Sequence, residues 1–329
     1  MASNFRNDHA ARIARVLGGS MAAQSAVAAS WQRSLVRYHL DPLEAKPPRI
    51  LSGWELRDAR QSIEPLLHAA QVSIDRLFQA VGDAGCCVIL SNRNGIPVER
   101  RGTPADDKIF SQWGLWTGAV WSEEAEGTNG IGTCLAESRP LTIHRDQHFH
   151  ARNADLSCTV APLFDHMGKL AGALDVSSCR ADLMEHHIGL VAAAVADSAR
   201  QIEALNFRRA FPRARIVLVE GQTPGAPGLL ALDCDDLVIG ATRTARLTYG
   251  ITDARITALL PAQEVLAGET EDDLTDAERN ALRRALARAK GNVSAAAAML
   301  QISRATLHRK MKQLGVQRPK RSPAELSQI

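Results

Sequence analysis

Apolar positions along the chain change their period several times, and each change marks an element. Residues 1–80 read as helical. Ala22 to Tyr38 is an amphipathic stretch carrying Trp31, Leu35 and Tyr38, and Asp41-Pro42 and Pro47-Pro48 break it. A second helical stretch runs from Gly53 to Val81, with Ile63, Leu66, Leu67, Ile74 and Leu77 at near-helical spacing. At Gly85 the pattern becomes short apolar runs. Cys86–Ser91 and Ile96–Arg101 read as strands around a turn at Asn92–Gly95, and Pro140–Ile143 as another strand. Ser157–Phe164 and Leu170–Ser177 flank Asp165–Lys169 and predict a hairpin, and a long helix from Asp182 to about Phe207 closes the unit. Strands interrupted by helices, with an antiparallel hairpin, predict an α+β domain over 81–207. A smaller α+β unit is expected over 208–265, with strands in Ala214–Val219 and Gly228–Gly240 around an Asp-rich turn and a short helix over Thr242–Tyr249.

A charged linker, 266–274, leads to an all-α end at 275–317 and a basic tail at 318–329. Thr275-Asp-Ala-Glu278 has the form of a capping box, in which Thr275 and Glu278 satisfy each other's backbone amides. The helix it opens is expected to run to Lys290, with Gly291 ending it. Asn292 or Ser294 can cap the next, nearly all-alanine helix and donate to a phosphate, and small residues there permit close helix approach. Ser303 caps the last helix. Ile302, Leu307, Met311 and Leu314 supply its buried face, which leaves Arg304, His308, Arg309, Lys310 and Lys312 pointing outward. Two short helices joined by a tight turn, the second basic, are built to enter a DNA major groove.

Charge sharpens this picture. The formal net charge is only +3, but residues 276–321 hold 12 Lys/Arg against two acids, leaving 27 basic and 34 acidic residues elsewhere. A local charge of +10 on a body of −7 is the electrostatic footprint of a nucleic-acid binder. The six cysteines show no Cys-x-x-Cys pair, no apolar run approaches membrane-spanning length, and the amino terminus has no signal-peptide core. The expectation is a cytoplasmic protein with reduced thiols and no membrane attachment.

The second distinctive string is Glu124-Ala-Glu-Gly-Thr-Asn-Gly-Ile-Gly-Thr-Cys-Leu-Ala-Glu137. It is no phosphate loop, because no strand leads into it and no Gly-Lys-Ser/Thr follows. It reads instead as a tight turn into a short helix whose free amides line a cavity. Trp113, Trp116 and Trp121 lie just ahead of it and can wall or cover a small ligand, or serve as ordinary core. Asn129, Thr133, Cys134, His144, Arg145, Asp146 and Asp175 are the polar candidates to orient an effector. His144, His148 and His150 with Cys158 suggest zinc or iron by ligand type, but their irregular spacing in a loop favours an exposed polar segment. No metal or other cofactor is expected. Cys86, Cys87 and Cys134 could sense oxidants if a thiol were acidic, and buried inert thiols are the alternative.

These motifs carry a resemblance. Asn292–Val316 resembles the Fis-type helix-turn-helix of bacterial regulators, which implies base contacts from Ser303, Arg304, Thr306 and His308 and backbone contacts from Asn292, Ser294, Arg309 and Lys310. Gln301 stands where that family usually has Gly in the turn. The Gly-rich string, Ile143–Phe149 and Gly172–Ser177 resemble the GAF domain of AcoR-like activators, Ser30-Trp-Gln-Arg-Ser34 resembles their leading helix, and 214–265 resembles their short PAS-like insert. The resemblance implies a homodimeric regulator of double-stranded DNA, governed by a small organic effector. AcoR-like activators carry an ATPase module ahead of the DNA-binding end, whereas Leu266 here passes within ten residues to Thr275 and no Walker sequence occurs. The expectation is therefore action through RNA polymerase or an ATPase-bearing relative, not sigma-54 activation alone. Two other readings stay open at this point: a GAF-fold thiol enzyme of methionine sulfoxide reductase type, using Cys86, Cys87 or Cys134, and a DNA-bending architectural protein.

Overall fold

A computed structural model describes residues 2–17, 25–180, 187–222, 225–266 and 274–317. The first residues of the expected helix from Asp182, most of the charged linker and the basic tail lie outside the described residues. The chain divides into two compact units: residues 1–165 with 169–206, and residues 166–168 with 207–329.

The first unit opens with helices α1 (Ala2–Leu17), α2 (Ala26–Gln32), α3 (Gly53–Gln61) and α4 (Glu64–Val81). A π turn at Arg33–Arg37 extends α2. Ser52 and Glu55 form a capping box on α3, and Pro65 sits in the first turn of α4, where its missing amide costs nothing. An antiparallel sheet follows, built from β1 (Cys86–Asn92), β2 (Pro97–Arg101), β3 (Leu141–His144), β4 (Ser157–Phe164) and β5 (Leu170–Ser178) in the order β2-β1-β5-β4-β3. The expected hairpin is β4–β5. Every residue of β1 and β4 is buried because helices cover both faces of the sheet. On one face, α4 and α8 (Ile188–Ala210) pack Leu66, Ile74, Leu77, Val195 and Ile202 against Val88, Leu90, Leu174 and Val176. Helix α4 thus belongs to the sheet's own core and not only to an amino-terminal extension. On the other face lie α5 (Asp107–Gln112), α6 (Glu123–Glu126) and α7 (Gly130–Glu137), where Phe110, Leu115, Trp121, Ile131 and Cys134 meet Cys87, Ile89, Cys158 and Val160. Period-2 alternation sorts the strand residues between these two cores.

In the second unit, β6 (Arg215–Val219), β7 (Gly228–Leu232) and β8 (Val238–Ala241) form an antiparallel sheet in that order. The Asp-rich turn is held by Asp233, whose carboxylate accepts from the amides of Asp235 and Leu237 at 2.9 Å each. Three short helices follow, α9 (Arg243–Tyr249), α10 (Asp253–Thr257) and α11 (Gln263–Leu266), and Leu230, Leu232, Val238 and Ala245 form the core. The chain then enters α12 (Leu274–Arg288), α13 (Val293–Met299) and α14 (Arg304–Gln313).

Candidate DNA interface and effector chamber

The three carboxy-terminal helices share a core of Leu282, Leu286, Val293, Ala296, Ala297, Leu307, Met311 and Leu314. Ala296 is fully buried, so its lack of side chain beyond Cβ is what lets α13 approach its neighbours closely. The turns are fixed by local chemistry. Gly291 (φ 77°) ends α12, its amide donating to the Leu286 carbonyl at 2.8 Å. Asn292, not Ser294, caps α13 by accepting from the amides of Ser294 and Ala295 at 3.0 and 3.2 Å. Ser303 caps α14, accepting from the Thr306 amide at 3.0 Å. Gln301 takes the left-handed conformation the turn requires, at φ 53°, which costs about 1 kcal/mol relative to Gly and is held by the packing of Ile302 and Leu300. One expectation fails: Leu274 already lies within α12, so Thr275 is a residue of the helix and not its cap. Glu278 is engaged elsewhere, paired with Lys310 of α14.

This pairing sorts the predicted contacts. Arg304, His308 and Arg309 are exposed, with Lys312 one turn beyond His308 on the same stripe. Asn292 and Ser294 are exposed at the start of α13. Thr306 is half-buried with its hydroxyl 2.8 Å from that of Ser303, so both belong to the cap as well as to the exposed end of the helix. Lys310 spans back to α12 through Glu278 and braces the helix pair.

The sensor residues separate into three places. Trp121 and Cys134 are core, with the Trp121 indole donating to the Gly114 carbonyl at 2.7 Å, and Trp113 and Trp116 are half-buried at the rim. Asn129 and Thr133 lie in a seam under α2. There Asn129 caps α7 by accepting from the Gly132 amide at 2.8 Å, and Thr133 shares Ser30 with Thr128. His144, Arg145 and Asp146 lie at the outer loop: His144 bonds Ser157, Arg145 is exposed at φ 50°, and Asp146 pairs with Arg12 of α1. The fold therefore does not gather these three with Asp175, which is wholly buried on β5.

Two further expectations are corrected. The amides of the Gly-rich string are not free: those of Gly127, Asn129 and Gly132 donate to the Glu123 carbonyl, the Thr133 hydroxyl and the Asn129 side chain. A Cβ on Gly127 would come within 2.6 Å of Phe149, one on Gly130 within 2.5 Å of Cys158, and one on Gly132 within 2.4 Å of the Glu123 amide. Gly130 lets α7 approach the sheet, Gly132 lets it approach α6, and Gly127 leaves room for Phe149. The histidine segment is not exposed: His148 and His150 are buried, and burial pushes both imidazoles down to about 4, so they stay neutral. His148 donates through Nδ1 to the Arg145 carbonyl, leaving Nε2 3.5 Å from the Cys158 sulfur. Among the described residues no group of three or more His, Cys, Asp or Glu is placed to hold a metal.

Burial raises the thiols of Cys87, Cys134 and Cys158 and pushes Cys86 up to about 11, which disfavours an attacking thiolate at all four. Burial also pushes the Asp175 carboxyl up to about 7, against a hydrogen bond from Ser177 at 2.6 Å. Because the folded state disfavours the ionised form, the contribution of Asp175 to stability is lost as pH rises from about 4 through 7. Asp175→Asn should therefore melt higher than the parent protein, by a margin that widens between pH 5 and pH 8. A margin that stays constant or narrows in thermal melts would contradict the assignment.

Sequence reasoning missed two features. One is the clamp between α2 and α6, in which Ser30 and Arg33 both engage the buried Glu123. The other is Arg100, whose side chain turns inward beneath Trp116. Glu99-Arg100-Arg101 looks like a solvated strand end, and only the register against Ile89 shows that its middle residue faces the core.

Comparison with known proteins agrees with this geometry. The GAF domain family matches residues 65–202, and the Fis family of bacterial regulatory proteins matches residues 273–314. The chain joins a GAF domain to a Fis-type helix-turn-helix. It is similar to AcoR-like regulators. The acetoin catabolism regulatory protein of Cupriavidus necator is 34% identical over 236 residues, 70% of this chain and 35% of that protein. The acetoin dehydrogenase operon transcriptional activator AcoR of Bacillus subtilis is 28% identical over 178 residues, 54% of this chain and 29% of that one. The propane 2-monooxygenase operon transcriptional activator MimR of Mycolicibacterium smegmatis is 30% identical over 162 residues, 49% and 26% respectively. The chain thus spans about a third or less of the length of these relatives. No helix among the described residues is long and apolar enough to cross a membrane.

Proposed function

We propose that this chain is a cytoplasmic, dimeric, sequence-specific transcription regulator whose GAF domain binds a small organic effector and thereby controls its Fis-type helix-turn-helix. The observation that carries the reading is the exposed Arg304, His308, Arg309 and Lys312 on a helix whose other side is locked into an alanine-lined core. Such a helix presents side chains in a fixed register, as base reading requires, and its charge supplies the phosphate attraction. Relatives named as transcriptional activators of catabolic operons support the same class of function. With the buried thiols disfavouring nucleophilic chemistry, the chain is read as a regulator and not an enzyme. The effector acts by differential affinity for two arrangements of the dimer. RNA polymerase, or a relative that carries an ATPase, is the partner through which bound protein changes transcription.

The test is recovery of genomic fragments on the full chain. Recovered fragments should share two inverted half-sites about one helical turn, roughly 34–36 Å, apart. Fragments with no common sequence at moderate salt would point to the architectural reading instead.

A further inference from the structure

Two buried polar groups of the sensor sheet carry hydrogen-bonding capacity that no described residue uses, and the strand register sets them in one row. Arg100 on β2 lies opposite Ile89 of β1, and Ile89 lies opposite Asp175 of β5. Their side chains therefore point to the same face, two inter-strand spacings apart, which is about 10 Å between Cα atoms. That face is the one covered by α5 and α7.

The Arg100 side chain is only 9% exposed. Its Nη1 donates to Asp107 at 2.7 Å, and the guanidinium carbon sits 4.4 Å from the Trp116 ring centroid and 5.2 Å from that of Phe110. Nε and Nη2 are buried and find no partner among the described residues. Those two N–H groups form the side-on edge of the guanidinium, parallel donors whose spacing matches the two oxygens of a carboxylate. At the other end of the row, Asp175 accepts from Ser177 through Oδ2, while Oδ1 is buried with no partner among the described residues. A buried charged group with unused capacity is costly, and here two of opposite sign face one interior without being bonded to each other.

We propose that the effector is a small hydroxycarboxylate, its carboxylate clasped by the Nε–Nη2 edge of Arg100 against Trp116 and its hydroxyl bonded to Oδ1 of Asp175. The proposal rests on the reading of the GAF domain as an effector sensor and names the effector's chemistry. A hydroxyl suits Asp175 better than an ammonium does. With its carboxyl pushed up to about 7 by burial, Asp175 occurs both protonated and ionised near neutrality. A hydroxyl can donate to one form and accept from the other, whereas an ammonium serves only the ionised form.

The experiment titrates the full chain with lactate and 3-hydroxybutyrate, reading heat of binding, melting temperature and affinity for a recovered DNA site. Propionate, methyl lactate and alanine are the controls. At least one of the two hydroxy acids should bind and raise the melting temperature. Methyl lactate should bind roughly ten- to hundredfold more weakly, the size of a charge-assisted hydrogen-bonded pair, with propionate and alanine also weaker. Arg100→Lys keeps the charge but loses the parallel edge, and should cost a similar factor. The proposal is overturned if neither hydroxy acid binds, if methyl lactate binds as tightly, or if Arg100→Lys binds undiminished. Should Arg100→Lys fail to fold, the ligand series on the parent protein decides alone. Methyl lactate binding that shifts DNA affinity while the acids fail would overturn the carboxylate clasp and leave the sensor reading standing. A DNA affinity unmoved while the hydroxy acids bind through Arg100 would uphold the clasp and count against the sensor reading.

Discussion

Replacing Arg304 with alanine is expected to weaken binding to a selected DNA site by roughly 1–3 kcal/mol, or about 5- to 150-fold, while leaving binding to scrambled DNA much less affected. Arg304 is the first residue of α14, immediately after the Ser303 cap, and the amino-terminal end of a recognition helix lies nearest the base edges. The side chain is exposed, and no hydrogen bond or ion pair engages it among the described residues. A guanidinium so placed can donate two parallel hydrogen bonds to one guanine, and losing that pair removes discrimination along with affinity. The contrast with Arg309 makes the result interpretable. Arg309 lies on the exposed side further along the helix, and as a phosphate-facing cation it should contribute to affinity and not to base reading. Arg309→Ala should weaken selected and scrambled DNA alike and lower the salt slope by about 0.9. Fluorescence anisotropy on both duplexes at several salt concentrations separates the two variants. An equal loss on both duplexes for Arg304→Ala would remove it from base reading.

How much of this was legible in the sequence differs from element to element, for physical reasons. The DNA-binding end was nearly complete, because caps, turns and helix faces are local. Asn292, Gly291 and Ser303 do what their types favour at those positions, and even the left-handed Gln301 could be anticipated from its place in the turn. The capping box at Thr275 misled because pattern alone cannot fix a helix's first residue to within a position. The β4–β5 hairpin was legible from its Gly-containing loop. The placing of Arg100 and Asp175 on one face of the sheet was not, because it comes about through strand register. Arg100 and Asp175 are 75 positions apart in sequence, and only their common partner Ile89 sets them in one row. The histidine segment misled for a related reason: a polar loop reads as exposed until α1, packed over Phe149 with His9 bonded to its carbonyl, covers it.

The clamp between α2 and α6 supplies the largest expected loss of stability, and its asymmetry is the informative part. Glu123 is 3% exposed as a side chain, and its two oxygens receive Arg33 at 2.5 and 2.9 Å, with Ser30 donating at 2.7 Å. Arg33 is 26% exposed and also reaches Glu137 at 2.8 Å. Arg33→Ala therefore strands a buried carboxylate with only the Ser30 hydroxyl to solvate it, a change worth roughly 3–5 kcal/mol where the survivor is truly buried. Glu123→Ala leaves Arg33 with Glu137 and with water, so its loss should be about 1–2 kcal/mol, even though the same bonds are broken. Urea melts of the two variants should rank Arg33→Ala well below Glu123→Ala. The reverse order would mean that Glu123 is hydrated in solution and that the helix is not seated on α6 as described. The consequence for function follows from where Glu123 sits. Its amide lies directly under Gly132, and Ser30 also touches Thr128 and Thr133, so loosening the clamp frees the Gly-rich string and the helix at its end together. Helix α2 and the start of α7 are held by one set of bonds, so the Arg33 variant should loosen both together.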